Sequence, residues 1–204
     1  QKAIAFTQGM QSRGVLATAK HFPGHGHTEK DSHLELPVDN REAVDIETND
    51  LIPYQKLIAE GLAPTLMTAH VMYPKIDKDN PGTLSKPILT DWLRKKLNYQ
   101  GIIFSDDFLM KAIADNYDLF EASKQFIQCG GDVILVCDQP EVSVSLIEKL
   151  NHEIGNNKDL ESSLKTAQGR IQKLQKFITK PSKISDYQKI AKTNQDLLSK
   201  IWQA

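Results

Sequence analysis

The segment from Lys20 to His33 concentrates much of the titratable chemistry of the chain. It reads KHFPGHGHTEKDSH and holds four of the six histidines in a sequence of 204 residues. An imidazole held by a carboxylate becomes more basic and can move protons near neutral pH. Asp31 and His33 are two residues apart and can turn the same way in an extended loop. The pair therefore predicts a general acid/base, and the alternative is a surface loop in which the two residues are incidental.

A second candidate lies at Asp106 and Asp107, which end the apolar run Gly101–Phe104. Adjacent strand residues point in opposite directions, so one acid can face a site while the other supports it from the side. A carboxylate nucleophile combined with an Asp-His acid/base could hydrolyse an acetal. The alternative is that one of these acids caps the following helix, since aspartate is favoured at that position.

Four apolar runs must position these residues, and each leads into a polar loop and then a helical pattern. This alternation predicts a parallel α/β sheet with right-handed crossovers, of the (β/α)8-barrel type. The carboxyl ends of such strands converge on one face, which would bring Lys20 and His21 together with His70 and Asp106. A complete barrel needs eight strands, so the chain is either half of a barrel or a small open sheet. The runs are 15–22, 62–73, 101–108 and 132–137, and the main helices are expected over 41–60, 85–97, 119–129, 140–151, 159–178 and 185–202.

Composition excludes several classes of function. A formal net charge of −1 provides no basic field for nucleic acid or an anionic membrane. No apolar run approaches the roughly 20 residues of a membrane-spanning helix, and the N-terminus has no signal-peptide pattern.

Cys129 and Cys137 are the only two cysteines, and we expect buried, reduced thiols and a cytoplasmic location. A helical pattern that starts at residue 2 without a cap predicts that the chain begins within a domain.

Zinc is an alternative use of the histidines. His21, His25, His27 and His33 could be imagined as ligands. However, the segment contains no HExxH pattern and no cysteine, and its glycines and proline argue against ligands aligned on one helix face. We therefore expect no metal.

The motifs KHFPGHG, DSH, TAHV and GIIFSDDFLM together resemble the bacterial β-N-acetylhexosaminidases of glycoside hydrolase family 3. The run Gly131–Cys137 is similar to the last barrel strand of that family, and the resemblance extends over about residues 1–150. It implies a (β/α)8 barrel, of which residues 1–152 would form the C-terminal half. Residues 153–204 would be a helical extension packed on it.

The resemblance also implies roles for individual residues. Asp106 would be the nucleophile of a retaining exo-glycosidase, and His33, held by Asp31, would be the acid/base. Lys20 and His21 would bind sugar hydroxyls, and His70 would belong to the same substrate pocket. His25 would shape the loop, while His27 receives no role. No cofactor is implied.

The substrate implied is a muropeptide that carries a terminal β-linked N-acetylglucosamine, in cell-wall recycling. The four upstream barrel strands of the family have no match here, so we expect this chain to be weakly active or inactive alone. We expect it to pair with the missing N-terminal half or with a second copy of itself. The alternatives are a family 3 β-glucosidase or β-xylosidase, a non-catalytic half-barrel assembly module, and a zinc hydrolase.

Overall fold

A computed structural model describes residues 1–28, 32, 35–177 and 192. Within them, four parallel strands form one sheet in the spatial order β1-β2-β5-β6, and β3 and β4 form a separate antiparallel hairpin. Pairing aligns Thr18 with Thr65 and Thr65 with Ile102, so the strands start level at one edge of the sheet. The strands are β1 (Thr18–Phe22), β2 (Thr65–Thr68), β3 (Met72–Tyr73), β4 (Asp77–Pro81), β5 (Ile102–Asp107) and β6 (Val133–Leu135).

Helices fill the connections between the strands. A π-helical turn, Ile46–Asp50, joins α2 to α3. The helix before β5, Pro87–Lys96, is also a π-helix. The predicted helices are thus present up to residue 175, while the helix expected over 185–202 lies outside the described residues except for Lys192. The α-helices are α1 (Lys2–Gln11), α2 (Ala43–Asp45), α3 (Ile52–Ala59), α4 (Lys111–Ala114), α5 (Leu119–Gln128), α6 (Pro140–Ile154) and α7 (Lys158–Gln175).

The core is built from buried side chains of both the strands and the helices. Phe108, just after β5, packs edge to face on Phe126 of α5, with ring centroids 5.8 Å apart. A Cβ at Gly131 would lie 2.3 Å from the Phe126 ring, so only glycine fits where the chain enters β6. Buried members of this core include Phe22, Leu66, Ile88, Leu93, Ile103 and Phe126.

Two expectations about local structure were wrong. The run 62–73 is not one strand: β2 ends at Thr68, and the chain turns into the hairpin, where Met72 pairs with Val38 and Pro81 instead of continuing in the sheet. Its apolar character reflects burial under the loop after β1. Cys129 is buried as expected, but Cys137 is exposed because it lies beyond the end of β6.

Helix α7 joins the same packed body as the sheet. Leu160 is fully buried in the core, and Arg170 donates to Asp132 at the start of β6 at 2.6 Å. The boundary between residues 152 and 153 stays a prediction. No described helix has the length and apolarity needed to cross a bilayer.

Candidate active site

The carboxyl ends of β1, β2 and β5 bring together His21, His70 and Asp106, as the strand order requires. His21 Nε2 lies 3.3 Å from Asp106 Oδ2. Because a carboxylate only accepts, Nε2 carries the proton in this contact. His21 Nδ1 has no hydrogen-bond partner among the described residues.

The Asp106 carboxylate receives two donors. The Asp107 N–H donates to its Oδ1 at 2.9 Å, and His21 approaches Oδ2. Burial raises the pKa of Asp106, but the hydrogen bonds from His21 and the Asp107 N–H outweigh it and bring the pKa down to about 2. The carboxylate is therefore ionised at neutral pH. Its side chain is 21% exposed, so it can be reached from outside.

The neighbouring acid, Asp107, faces the opposite way, as strand alternation predicts. Its Oδ1 accepts the N–H of Leu109 and the N–H of Cys137, both at 3.1 Å. These contacts tie the end of β5 to the end of β6. Neither Asp106 nor Asp107 caps the next helix, because its N-cap residue is Met110.

His70, which was expected to belong to the substrate pocket, is held by contacts within the protein. It is 1% exposed, and both ring nitrogens are engaged: Nε2 donates to the Asp107 carbonyl at 3.1 Å, and Nδ1 lies 2.8 Å from Thr83 Oγ1. Burial lowers the pKa of His70 to about 4, against the raising effect of the Asp107 carbonyl. The ring is neutral at pH 7 and has no nitrogen free for a sugar, so this geometry does not favour direct substrate contact.

Lys20 lies on β1, which forms one edge of the described sheet, and it has no hydrogen-bond or ion-pair partner among the described residues. It lines a cavity of about 430 Å³ together with Gly24, Asp50 and Tyr54. Lys20 is exposed and precedes His21 on the same strand, which is compatible with the expected contact to a sugar hydroxyl.

Asp31 and His33, the expected acid/base pair, lie outside the described residues. Ser32 between them is described and is 7% exposed. His25 Nε2 lies 3.2 Å from Ser32 Oγ, and His25 Nδ1 lies 2.9 Å from Thr28 Oγ1. The His25 ring is in turn 5.8 Å from the His21 ring. Ser32 is thus tied to the neighbourhood of Asp106, and the loop-shaping expectation for His25 agrees with these contacts.

Sequence reasoning missed Arg41, which braces the other end of this loop. Its guanidinium bonds Asp39 and Asp50, with closest contacts of 2.7 Å to each. Burial raises the pKa of Asp39, but Arg41 lowers it overall. Asp50 also packs against Gly24, where any Cβ would come within 2.6 Å of its Oδ1. No spacing in the sequence marks this cluster, because Asp50 comes from the next helix.

Among the described residues, no group of three or more His, Cys, Asp or Glu side chains could hold a metal ion. Within the described residues, the site consists of a reachable carboxylate and an imidazole at converging strand ends, with the exposed Lys20 on the same strand as the imidazole.

Residues 1–174 match the model of the glycosyl hydrolase family 3 N-terminal domain. The chain belongs to glycoside hydrolase family 3. It is 43% identical over 148 residues to the beta-hexosaminidase of Haemophilus influenzae, an alignment that covers 72% of this chain and 42% of that protein. The chain therefore spans about two fifths of the length of this relative.

Solved structures agree with the family. The family 3 beta-N-acetylglucosaminidase of Paenibacillus superposes with a TM-score of 0.81 at 29% identity, over 89% of this chain and 35% of that one. NagZ from Neisseria gonorrhoeae, solved with N-trifluoroacetyl-D-glucosamine, gives a TM-score of 0.64 at 35% identity, over 83% and 45%. The α/β fold predicted from sequence is confirmed, and the described sheet is part of a (β/α)8-type barrel.

Proposed function

We propose that this chain forms part of a retaining β-N-acetylglucosaminidase in which Asp106 is the nucleophile. One observation supports this most directly: the Asp106 carboxylate is ionised, reachable, and oriented by one donor on each oxygen. A carboxylate oxygen has two lone pairs, so each oxygen keeps one for attack.

The proposed reaction has two steps. Asp106 attacks the anomeric carbon while His33 protonates the leaving oxygen, and a covalent glycosyl-enzyme forms. His33 then removes a proton from water, which attacks the same carbon, frees Asp106 and leaves the sugar with β configuration. Asp31 holds the His33 ring throughout. A histidine suits the role because its ordinary pKa, about 6.5, already lies near the working pH.

Sugar binding is assigned to Lys20 and His21. Nδ1 of His21, which has no hydrogen-bond partner among the described residues, would accept a hydrogen bond from a sugar hydroxyl while Nε2 stays on Asp106, so one ring would couple sugar position to nucleophile orientation. We assign His70 a supporting role in the wall of the pocket without direct sugar contact, since both of its ring nitrogens contact other protein groups.

The test compares rates on aryl N-acetyl-β-glucosaminide, aryl β-glucoside and aryl β-xyloside, using a polypeptide that contains these residues in a complete barrel. We expect hydrolysis of the first and little of the other two, with β-N-acetylglucosamine as the first product seen by proton NMR. Faster hydrolysis of the glucoside or xyloside would favour the alternative within the family. An α product would contradict the retaining mechanism.

We further propose that the natural substrate is a muropeptide and that the enzyme works in the cytoplasm. The support is the similarity to NagZ and to the beta-hexosaminidases. Release of N-acetylglucosamine from purified muropeptides, compared with chitobiose, measures this preference.

A further inference from the structure

Asp107 takes no part in the proposed chemistry, yet its backbone and its carboxylate both form hydrogen bonds at the strand ends. Its N–H holds Asp106 Oδ1 at 2.9 Å, and its Oδ1 receives two backbone N–H groups, those of Leu109 and Cys137. The carboxylate thereby fixes both the turn that follows β5 and the end of β6. Residue 107 cannot shift without moving the donor on Asp106.

His70 holds the same residue from the other side. Its Nε2–H donates to the Asp107 carbonyl at 3.1 Å, and its ring packs edge to face on Phe108, with centroids 5.9 Å apart. Because Nε2 donates, Nδ1 of the neutral ring is an acceptor, and it shares the single proton of the Thr83 hydroxyl, 2.8 Å away, with the Ala69 carbonyl at 3.0 Å. Buried polar groups that are satisfied in this way hold a strand end rigidly.

We infer that Asp107, held by His70, is a positioning residue that sets the orientation and ionisation of the Asp106 carboxylate. The inference rests on the proposed function only for the statement that Asp106 is the nucleophile. Asp107 touches neither substrate nor the reacting atoms, and it acts through its backbone N–H and through the strand ends that it joins.

Replacing Asp107 by alanine has two effects that act on the pKa of Asp106 in opposite directions. Loss of a neighbouring negative charge by itself would lower the pKa of Asp106. Alanine keeps the backbone N–H but no longer holds it in place, and its displacement from Asp106 would raise that pKa, by about one unit. Asp107→Asn removes the charge but keeps an oxygen that can accept from Leu109 and Cys137.

The experiment is a carbon-13 NMR titration of Asp106 in the folded 204-residue chain for the wild type, Asp107→Ala and Asp107→Asn. We expect Asp106 to begin protonating at higher pH in the alanine variant only. In a hydrolytically active form of the protein, we expect Asp107→Ala to lower kcat by about 100-fold with little change in KM, as for a misplaced reacting group. Asp107→Asn should restore most of that rate.

Two further variants complete the test. Asp138→Asn is the control: it removes a carboxylate just beyond β6 that has no hydrogen bond among the described residues. This variant should not raise the pKa of Asp106. His70→Phe keeps a ring against Phe108 but loses the donor to Asp107, and it should raise the pKa of Asp106 in the same direction as Asp107→Ala. If Asp107→Ala does not fold, this variant decides.

An Asp106 pKa that stays level or falls in folded Asp107→Ala or His70→Phe would overturn the inference. The titration needs no turnover, so an absence of glycosidase activity in a complete barrel would contradict the proposed function without touching this result.

Discussion

Asp106 combines two properties that usually conflict, a low pKa and partial burial. Burial alone would favour the protonated acid, which is a poor nucleophile. The His21 and Asp107 donors reverse that preference, since each bonds the charged form. At the residue scale, therefore, the ionised state of the proposed nucleophile is set by its two neighbours as much as by its own residue type.

Replacing Asp106 by asparagine should abolish turnover and leave the fold intact. The amide oxygen can still accept from the Asp107 N–H, but it cannot form the glycosyl-enzyme. We expect the free energy of unfolding to change by no more than about 1 kcal/mol, as measured by urea denaturation. A variant that kept a near-normal rate would remove Asp106 from the nucleophile role.

Loss of the acid/base should depend on the leaving group. His33→Ala should lose about 10²- to 10⁴-fold in rate on natural substrates, where the departing oxygen needs a proton. The loss should be much smaller on aryl glycosides whose phenols are strongly acidic. The measurement is kcat/KM over a series of leaving groups, and equal losses across the series would argue against acid catalysis by His33.

His70 should make the fold sensitive to mild acid. Its pKa falls from an ordinary 6.5 to about 4 on burial, so the unfolded chain takes up a proton before the folded chain does. The free energy of unfolding therefore decreases by up to about 3 kcal/mol as pH falls from about 6.5 to about 4. The contribution of Asp106, with a pKa of about 2, is lost only at lower pH.

Urea unfolding between pH 7 and pH 4.5 measures this effect. His70→Gln removes the titrating ring and should flatten the profile, whereas His152→Gln, at an exposed position of α6, should leave it unchanged. Equal slopes for the wild type and His70→Gln would contradict the assignment.

At the scale of elements, the loop after β1 is held at both ends by groups far apart in sequence. Near its start, the Tyr73 hydroxyl donates to the Gly24 carbonyl, and the Arg41 cluster closes its end. The backbone of Met72 also exchanges hydrogen bonds with Pro37 and Asp39, each at 2.8 Å. The loop that carries the expected acid/base is thus anchored on the β3–β4 hairpin and on the turn after α2.

Helix α7 depends on one buried ion network. Asp132 is fully buried between Arg94 and Arg170, with nitrogen–oxygen distances of 2.5 and 2.6 Å. Arg170→Met should cost about 3 kcal/mol, because removal of one partner leaves buried charge less compensated. The matched control is Lys165→Met on the same helix, which breaks an exposed pair with Glu161 and should cost no more than about 0.5 kcal/mol. Thermal and urea unfolding measure both, and equal small losses would show that the network does not hold α7.

At the scale of the whole molecule, apolar side chains remain exposed on several of the helices. Phe6 on α1 is 68% exposed, and Val144 and Ile147 on α6 are 55% and 57% exposed. In a closed (β/α)8 barrel the outer helices pack against neighbours on both sides. These surfaces support the prediction that the chain pairs with further barrel residues or with a second copy.

The 204-residue chain by itself should therefore show little hydrolysis of an aryl N-acetyl-β-glucosaminide. Addition of a polypeptide that supplies the remaining strands should raise the rate. Analytical ultracentrifugation should show association, because exposed apolar surface favours it, as do the outer edges of β1 and β6, which pair with no other strand among the described residues. Substantial hydrolysis by a monomer would contradict the half-barrel interpretation.

Local patterns in the sequence were sufficient to predict the parallel α/β fold, the helices up to residue 175 and the meeting of His21 and Asp106 at the strand ends. Each apolar run, with the polar residues that follow it, lies within a short stretch of sequence. It can therefore be recognised without knowing which segments pack against it in the sheet. The break after Thr68 and the exposure of Cys137 were not predictable in this way, because both depend on which surfaces other segments cover.

The tertiary structure alone decided what each polar group contacts. It placed His21 on Asp106, buried His70 behind Asp107, and joined Arg41 to Asp50 from a separate helix. Hydrogen bonding and desolvation act over a few ångströms in space and are indifferent to distance along the chain. The sequence by itself therefore determined which chemistry is available, and the packing of distant segments decided which residue reaches the site and in which protonation state.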